Sequence, residues 1–311
     1  MKNKKGQAFT LFAIGLVIFL FVSYSTFSLV QDRRAIKTRI STMNNFLYSI
    51  EEDFSRQLYI FGFRSLLVAE DYTSTSSPPK YITDLPGINN ANDFFNLTFH
   101  NYTVLGGNYT YLLRGSNYDS IIENINEAAE KINVEINFTN EKIEVTQEDP
   151  WNIVIVFSAN MTMKDKTGLA SWNRSQVIRS PVSILGFKDP LFIVETQDGF
   201  ESKINLTMFE DGGYYDLTDN SNLTRHCQYG YYSNNTDAPS FLSRLEGDTT
   251  ASDQYGIERL IYYPSLPDSY KYSASIVDHE YFSSPPTTGS LVTNMPAWFL
   301  LDTDHTTKYT S

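Results

Sequence analysis

A run of 23 residues without a charged side chain, residues 8–30, constrains this chain more than any other feature of its sequence. Most of these residues are Phe, Leu, Ile and Val, and as a helix they would extend about 34 Å at about 1.5 Å per residue. That length is enough to cross the hydrocarbon layer of a bilayer, which is about 30 Å thick. A cleaved secretory signal is the alternative, but its apolar part is normally about 7–15 residues long and ends in small residues. The sequence therefore predicts a membrane-spanning helix that is retained.

Charge and composition exclude several classes of protein. Residues 1–39 are basic, whereas the rest of the chain carries the acidic excess behind a total charge of −12. Because such an acidic surface repels phosphate groups, we expect no nucleic-acid partner. A single Cys excludes a disulfide scaffold and a Cys-based zinc ribbon. The 21 Phe and 21 Tyr exclude a uniformly disordered chain.

Nine Asn-x-Ser/Thr triplets lie beyond residue 90, and eight of them have Thr in the third position. Basic residues flank the apolar run on both sides, so the positive-inside rule does not fix its orientation. Because glycosylation requires an Asn on the exported side, we expect a single-pass protein in the cell membrane with its N-terminus in the cytoplasm. Accidental triplets in an Asn- and Thr-rich sequence are the alternative. The candidate glycosylation sites are Asn96, Asn101, Asn108, Asn137, Asn160, Asn173, Asn205, Asn222 and Asn234.

The segment Lys4-Lys5-Gly6-Gln7 lies directly before the apolar run. It resembles the processing site of type IV pilin-like precursors, especially the archaeal class III signal peptides. The resemblance covers roughly the first 30 residues, and Phe9 and Leu11 stand where the family has Ser and Glu. It implies that a prepilin-type peptidase cuts between Gly6 and Gln7 and leaves the helix in the bilayer. An uncleaved signal anchor is the alternative.

Beyond the membrane segment, apolar residues recur every three or four positions, which predicts an amphipathic helix that continues to about residue 70. Burial of this apolar stripe on the chain's own domain is favoured. A parallel coiled coil between two copies, through the stripe from Ile36 to Phe54, is the alternative. The stripe consists of Ile36, Ile40, Met43, Leu47, Ile50, Phe54, Leu58 and Phe61.

The whole pattern predicts an α+β fold in which a long membrane-spanning N-terminal helix precedes antiparallel, β-rich extracellular domains. We predict a hairpin at 93–115 around Gly106-Gly107, a helix at 121–132 and strands between 134 and 185 with a turn at 140–141. We also predict a strand at 191–195, a helical turn at 241–246, and a last strand before a polar tail. The predicted segments are a basic leader (1–6), the helix (7–70), a linker (71–92), a pilin-like α+β domain (93–197) and a Tyr-rich β module (198–311).

The four His are scattered along the chain and form none of the usual zinc motifs, so we expect no metal and no cofactor. Asp278-His279-Glu280 and the segment from Asp302 to His305 have the residue types to bind a cation. In an acidic, loop-rich surface such residues are more often solvated charges, and this is the interpretation that we favour. Neither segment has the spacing of a calcium-binding EF-hand loop.

No catalytic residue is predicted. His226-Cys227 places a base and a thiol side by side in sequence, but catalytic partners usually meet through the fold. The chain has no Gly-x-Ser-x-Gly motif and no phosphate-binding Gly loop. Paired carboxylates have no sequence signature, so a surface hydrolase remains a third hypothesis.

We therefore expect a membrane-anchored, N-glycosylated, pilin-like cell-surface protein with a structural or adhesive role. The alternative is a single-pass ectodomain that binds a glycan or a protein as a monomer.

Overall fold

The computed structural model describes residues 4–105, 107–209, 213, 218–283 and 285–310. The helices are α1 (Lys4–Thr75), α2 (Ala91–His100), α3 (Gly107–Leu113), α4 (Tyr118–Lys131), α5 (Pro190–Glu195), α6 (Ser221–Tyr229), α7 (Phe241–Glu246), α8 (Asp278–Ser283) and α9 (Thr303–Thr310). The strands are β1 (Val134–Asp149), β2 (Asn152–Asp165), β3 (Ser171–Ser183), β4 (Asn205–Leu206), β5 (Tyr231–Asn234), β6 (Ile257–Arg259), β7 (Ser290–Leu291) and β8 (Leu300–Leu301). The fold class is α+β, with a long N-terminal helix followed by small, mainly antiparallel sheets.

The chain divides into two compact units. Unit 1 comprises Met1–Asp53, Asn124–Thr139 and Asn160–Ser175. Unit 2 comprises Phe54–Glu123, Asn140–Ala159 and Gln176–Ser311.

Helix α1 contains 72 residues without interruption, which corresponds to about 108 Å at about 1.5 Å per residue. Residues 7–38 are all exposed, although most of residues 8–30 are apolar. From Met43 onward the apolar stripe becomes buried, with Met43, Phe54, Leu58 and Phe61 all at 0% exposure. The long helix is therefore confirmed, and it extends a few residues beyond the predicted end.

In unit 1, side chains of α1 contact strand ends and loops. Arg39 Nη2 lies 2.7 Å from Asp165 Oδ1 and donates a hydrogen bond of 2.9 Å to the carbonyl oxygen of Asn133. Arg174 Nη2 lies 2.7 Å from Glu51 Oε1. Because Asp165 is 4% exposed, its contact with Arg39 is less accessible to solvent than an ordinary surface ion pair.

Strands β1, β2 and β3 form one sheet in that order. The predicted turn at 140–141 is wrong, because β1 continues through it. The buried residues of β1 change from Ile136 and Phe138 to Ile143 and Val145, which shifts the alternation by one position. Asn140 between them has a positive φ of 53°, and one extra residue at such a position is typical of a β-bulge.

The predicted hairpin at 93–115 is also wrong, since this segment contains α2 and α3; Gly106 itself lies outside the described residues. The side chain of Asn90 caps α2 by accepting the N–H of Asp93 at 2.9 Å. The helix then places three buried rings on one face, those of Phe94, Phe95 and Phe99. In unit 2 the ring of Phe99 packs against Phe61 at a centroid distance of 4.7 Å.

The predicted strand at 191–195 is a helix instead, α5. Asp189 accepts the N–H of Leu191 at 3.0 Å, and Pro190 occupies the first turn, where its missing N–H is not needed. Local capping therefore outweighs the β-branched character of the sequence. The predicted helix at 121–132 and helical turn at 241–246 are confirmed by α4 and α7.

In the last third of unit 2, short strands alternate with short helices. β4, β5 and β6 form a sheet in which β4 is parallel and β6 antiparallel to β5, and β7 pairs with β8 antiparallel. The predicted last strand is present as β8, and the polar segment after it forms a helix, α9. Asp302 accepts the N–H of His305 at 3.0 Å and so caps this helix.

Candidate functional site

Three titratable side chains from separate elements of unit 2 converge in its interior. Glu258 lies on β6, His279 on α8 and His305 on α9, with exposures of 0%, 5% and 6%. His305 Nε2 is 3.0 Å from Glu258 Oε2, and His279 Nε2 is 3.5 Å from the same oxygen. We call these three residues the carboxylate–histidine cluster.

Backbone pairing and helix caps position the three side chains. Glu258 faces the interior because β6 pairs with β5 in a register that sets Glu258 opposite Ser233. His279 is the second residue of α8, and its N–H is bound by Asp278 Oδ1 at 2.8 Å. Asp302, which caps α9, also contacts His305 Nδ1 at 2.7 and 2.8 Å, and so fixes the orientation of the ring.

The two oxygens of Glu258 have different surroundings. Oε1 accepts hydrogen bonds from Lys308 Nζ and from the hydroxyl of Tyr309, each at 2.7 Å. Oε2 faces the two histidines and accepts a bond of 2.5 Å from Asn235 Nδ2. His279 Nε2 is buried and has no hydrogen-bond partner among the residues that the structure describes.

Burial and hydrogen bonding act in opposite directions on the pKa values of the cluster. Burial lowers the pKa of His305, but the hydrogen bonds to Asp302 and Glu258 outweigh it and raise the pKa to about 10. Burial raises the pKa of Glu258, but contacts with His279, His305 and Lys308 hold it well below its usual value. Burial also raises the pKa of Asp302, but the contact with His305 outweighs this effect and lowers the pKa to about 2. Glu258, Asp302 and His305 are therefore held in their charged forms and pair with one another through His305.

A second buried charge cluster lies next to the first. Arg244 Nη1 contacts Asp189 Oδ2 at 2.6 Å and Asp278 Oδ2 at 2.8 Å, and all three side chains are fully buried. The hydroxyl of Tyr232 donates to Asp189 at 2.8 Å. Because both carboxylates are occupied by the same guanidinium group, this pair is not arranged to act on a substrate.

The prediction that the acidic and His-containing segments near residues 278 and 302 are solvated charges is wrong for three of their residues. Asp278, His279 and His305 are buried, and Asp302 is half-buried. Glu258 was not singled out from the sequence, because it reaches the histidines through the fold. The one local signal was the Asp302-x-x-His305 spacing, which places a carboxylate and an imidazole on the same side of a helical turn.

The neighbouring residues His226 and Cys227 do not form a nucleophile and its base. Cys227 is 1% exposed, and burial raises the pKa of its thiol to about 12. Burial lowers the pKa of His226 to about 3, and its Nδ1 lies 3.2 Å from the hydroxyl of Thr207. Cys227 is therefore a residue of the apolar core, since a reactive cysteine needs a low pKa and access to solvent.

Most of the residues predicted to carry anchoring and modification are exposed where the structure describes their side chains. The helix α1 contains a window with a mean hydropathy of 2.2 in which no residue is buried, so it is long and apolar enough to cross a membrane. Gly6 and Gln7 lie in the first turns of this helix. Of the candidate glycosylation sites, Asn160 and Asn222 are half-buried, the side chain of Asn108 is not described, and the exposed ones are Asn96, Asn101, Asn137, Asn173, Asn205 and Asn234.

Comparisons with known protein families, with curated proteins and with solved structures find no match to this chain. Function therefore has to be inferred from two features of the chain itself: the exposed apolar half of α1 and the carboxylate–histidine cluster.

Proposed function

We propose that this protein is a membrane-anchored cell-surface protein with a pilin-like organisation and a structural or adhesive role. One observation carries the proposal: the first half of α1 exposes an uncharged apolar surface all around the helix, at residues 8–30. An isolated helix with apolar side chains on every face is stable in lipid and is not stable in water.

The anchor and the stalk are one element in this proposal. α1 runs from Lys4 to Thr75 without a Pro, so a helix that begins in the bilayer continues directly into the part that is buried on the protein. This layout, with a short basic leader, supports processing by a prepilin-type peptidase between Gly6 and Gln7. The bulk of the chain then lies outside the cell, where the exposed Asn-x-Ser/Thr sites are available for glycosylation.

The burial of the apolar stripe limits which of its residues could contact a second copy of the chain. Met43, Leu47, Ile50 and Phe54 are at most 5% exposed within a single chain, so they are not available to a second copy. Ile36 and Ile40 are 38% and 43% exposed. In this proposal, self-association through the stripe uses the residues of α1 up to about Ile40. A monomeric anchor that carries a binding domain is the second candidate function.

Membrane extraction and the mass of the mature N-terminus test this proposal. The full chain is expressed in cells that contain a prepilin-type peptidase, and the membranes are washed with alkaline carbonate. We expect the protein to stay in the washed membranes and its sequence to begin at Gln7. Release by the wash contradicts the anchor, and an intact Met1 or Lys2 contradicts the processing.

A pair of variants separates processing from anchoring. Gly6→Val should block cleavage without releasing the protein from the membrane, because the cleft of the peptidase requires a residue without a side chain at this position. Gln7→Ala, on the other side of the proposed bond, is the control and should still be cleaved. Equal cleavage of both variants would mean that Gly6 is not the recognition residue.

A further inference from the structure

We propose that the carboxylate–histidine cluster is a binding site for one divalent transition-metal ion, and that Zn²⁺ is the ion that fits it best. Glu258, His279 and His305 each offer one ligand atom, and these atoms all lie within 4.8 Å of one another. Two neutral imidazoles and one carboxylate are a set of ligands that Zn²⁺ takes in proteins. His305 would therefore release its Nε2 proton to solvent when the ion binds. The hard cations Ca²⁺ and Mg²⁺ prefer oxygen ligands only, so the two histidines argue against them.

The spacing of the ligand atoms supports this assignment. Zn²⁺ binds nitrogen and oxygen at about 2.0–2.1 Å, so two ligands of a tetrahedral site lie about 3.3–3.4 Å apart. The two measured separations from Glu258 Oε2 are 3.0 Å to His305 Nε2 and 3.5 Å to His279 Nε2. These two separations are within a few tenths of an ångström of tetrahedral spacing, and the third, between the two imidazole nitrogens, is at most 4.8 Å.

A second, independent observation is the state of His279. Its Nε2 is buried, points at Glu258 and has no hydrogen-bond partner in the described part of the chain. A buried polar atom without a partner is destabilising. A bound metal ion would satisfy this atom, which the metal-free arrangement leaves unsatisfied.

The surroundings of the cluster also have the features of a metal site. Asp302 holds His305 Nδ1 at 2.7 Å and so directs Nε2 toward Glu258, and such carboxylate–histidine pairs orient the ligands of many metal sites. Lys308 and Tyr309 bind Oε1 of Glu258, so Oε2 is the oxygen that faces the two imidazoles. Oε2 also accepts a hydrogen bond from Asn235 Nδ2, which would have to share it with the ion or move aside.

The ion would link three elements that are distant in sequence: β6, α8 and α9. Three protein ligands are the number found in catalytic zinc sites, but here the ligands are almost completely buried, so an ion held by them would not face solvent. We therefore assign it the role of attaching the C-terminal helix to the rest of unit 2. This role is independent of the proposed membrane anchoring.

Metal titration of the full-length protein in detergent tests the site. The protein is purified without a polyhistidine tag, stripped with a chelator, and titrated with ZnCl₂ against a chromophoric chelator in excess Mg²⁺. We expect one Zn²⁺ per chain and a higher midpoint of thermal unfolding with Zn²⁺ than without it. His279→Gln should weaken binding by more than about 100-fold, whereas His100→Gln, at an exposed His on α2, should leave it unchanged.

His279→Gln is the preferred variant because the lost nitrogen makes no hydrogen bond to any residue that the structure describes, so the metal-free fold should be retained. Asp302→Asn tests the positioning residue and should weaken binding by about 10–100-fold. Asp304→Asn makes the same change of charge at an exposed site and should have no effect.

X-ray absorption at the zinc edge should show imidazole ligands at about 2.0–2.1 Å. The proposal is overturned by the absence of one-equivalent binding, by wild-type affinity in His279→Gln, or by a zinc spectrum without imidazole.

Discussion

The two halves of α1 are both rich in apolar residues, yet they have opposite surroundings. Phe19 and Leu20 in the first half are 69% and 58% exposed, whereas Phe54, Leu58 and Phe61 in the second half are fully buried. In the first half apolar side chains occupy every face of the helix. In the second half they follow a stripe at spacings of three and four, with charged residues on the other faces. The arrangement of apolar residues, and not their number, therefore distinguishes a surface suited to lipid from one that packs on protein.

The largest expected effect comes from placing charges in the first half. Phe19→Arg/Leu20→Arg should release the protein from membranes or prevent its insertion, because each Arg at the centre of a membrane helix costs about 2.5–3.5 kcal/mol. The measurement is the fraction of protein that sediments with carbonate-washed membranes. Tyr48→Arg/Tyr59→Arg, at positions in the second half that are 61% and 46% exposed, should sediment like the wild type. If the two double variants behave alike, the contrast between the two halves is wrong.

The next largest effect is expected from a substitution in the second half of α1, with the first half as the control. Phe61→Ala should lower the free energy of unfolding of unit 2 by about 3–5 kcal/mol, since it leaves a cavity beside Phe95 and Phe99. Denaturant unfolding in detergent, followed by Trp fluorescence, measures this change. Phe19→Ala removes the same atoms from an exposed site and should leave the unfolding midpoint unchanged. A similar loss in both variants would show that residue 19 is also packed on protein.

A smaller effect concerns two glycines in the same helix. A Cβ at Gly62 would lie 2.7 Å from Ile155 Cγ1 and 2.9 Å from Val182 Cγ2, whereas a Cβ at Gly15 meets nothing within 4 Å. Gly62→Ala should therefore destabilise unit 2 by about 1–3 kcal/mol through overpacking. Gly15→Ala should be neutral or slightly favour the helix. The same unfolding measurement distinguishes them, and a neutral Gly62→Ala would mean that the packing at Gly62 is loose.

The smallest effect is a pH dependence near the junction of the two halves. Hydrogen bonds from the hydroxyl of Thr167 and from Arg39 lower the pKa of Asp165 to about 2, although burial acts in the opposite direction. Because this pKa is below its unfolded value, the contribution of Asp165 to stability is present above about pH 4 and is lost as the pH falls through about 2. Amide hydrogen exchange in residues 160–175 should show protection that falls over this range.

Asp165→Asn should have weaker protection at pH 5 and a flatter pH profile. Glu130→Gln is the matched control, because its carboxylate is 79% exposed and lies 3.7 Å from Lys166, and an exposed pair of this kind contributes little. A wild-type profile that does not change between pH 4 and pH 2 would contradict the role of Asp165.

The elements that could be predicted from the sequence are those whose pattern is long and regular. α1 and α4 follow from helical spacing, and the strand β2 follows from the apolar residues at every second position from Ile153 to Met161. The errors fall where a local signal of one or two residues decides the structure. The Asn90 cap makes a helix of a predicted hairpin, and Asp189-Pro190 makes a helix of a predicted strand. At Asn140, where a turn is predicted, the chain instead has a positive φ within one continuous strand.

The carboxylate–histidine cluster could not be predicted for a different reason. Glu258 and His305 are 47 positions apart, and no spacing rule connects them. Their contact depends on how β6 and α9 pack, which is a property of the whole of unit 2. The Asp302-His305 pair was visible in the sequence, but without the fold nothing indicated that these charges would be removed from water.

The attachment of α9 has a consequence for a truncated chain. Glu258 is buried, and three of the groups that bind its carboxylate, on His305, Lys308 and Tyr309, belong to α9. A chain that ends at residue 302 contains this carboxylate but none of these three partners, and only Asn235 and His279 remain beside it. Because removing a partner from a buried charge costs about 3–5 kcal/mol, we expect such a truncated chain to be less stable than the 311-residue chain and to be cut faster by a protease.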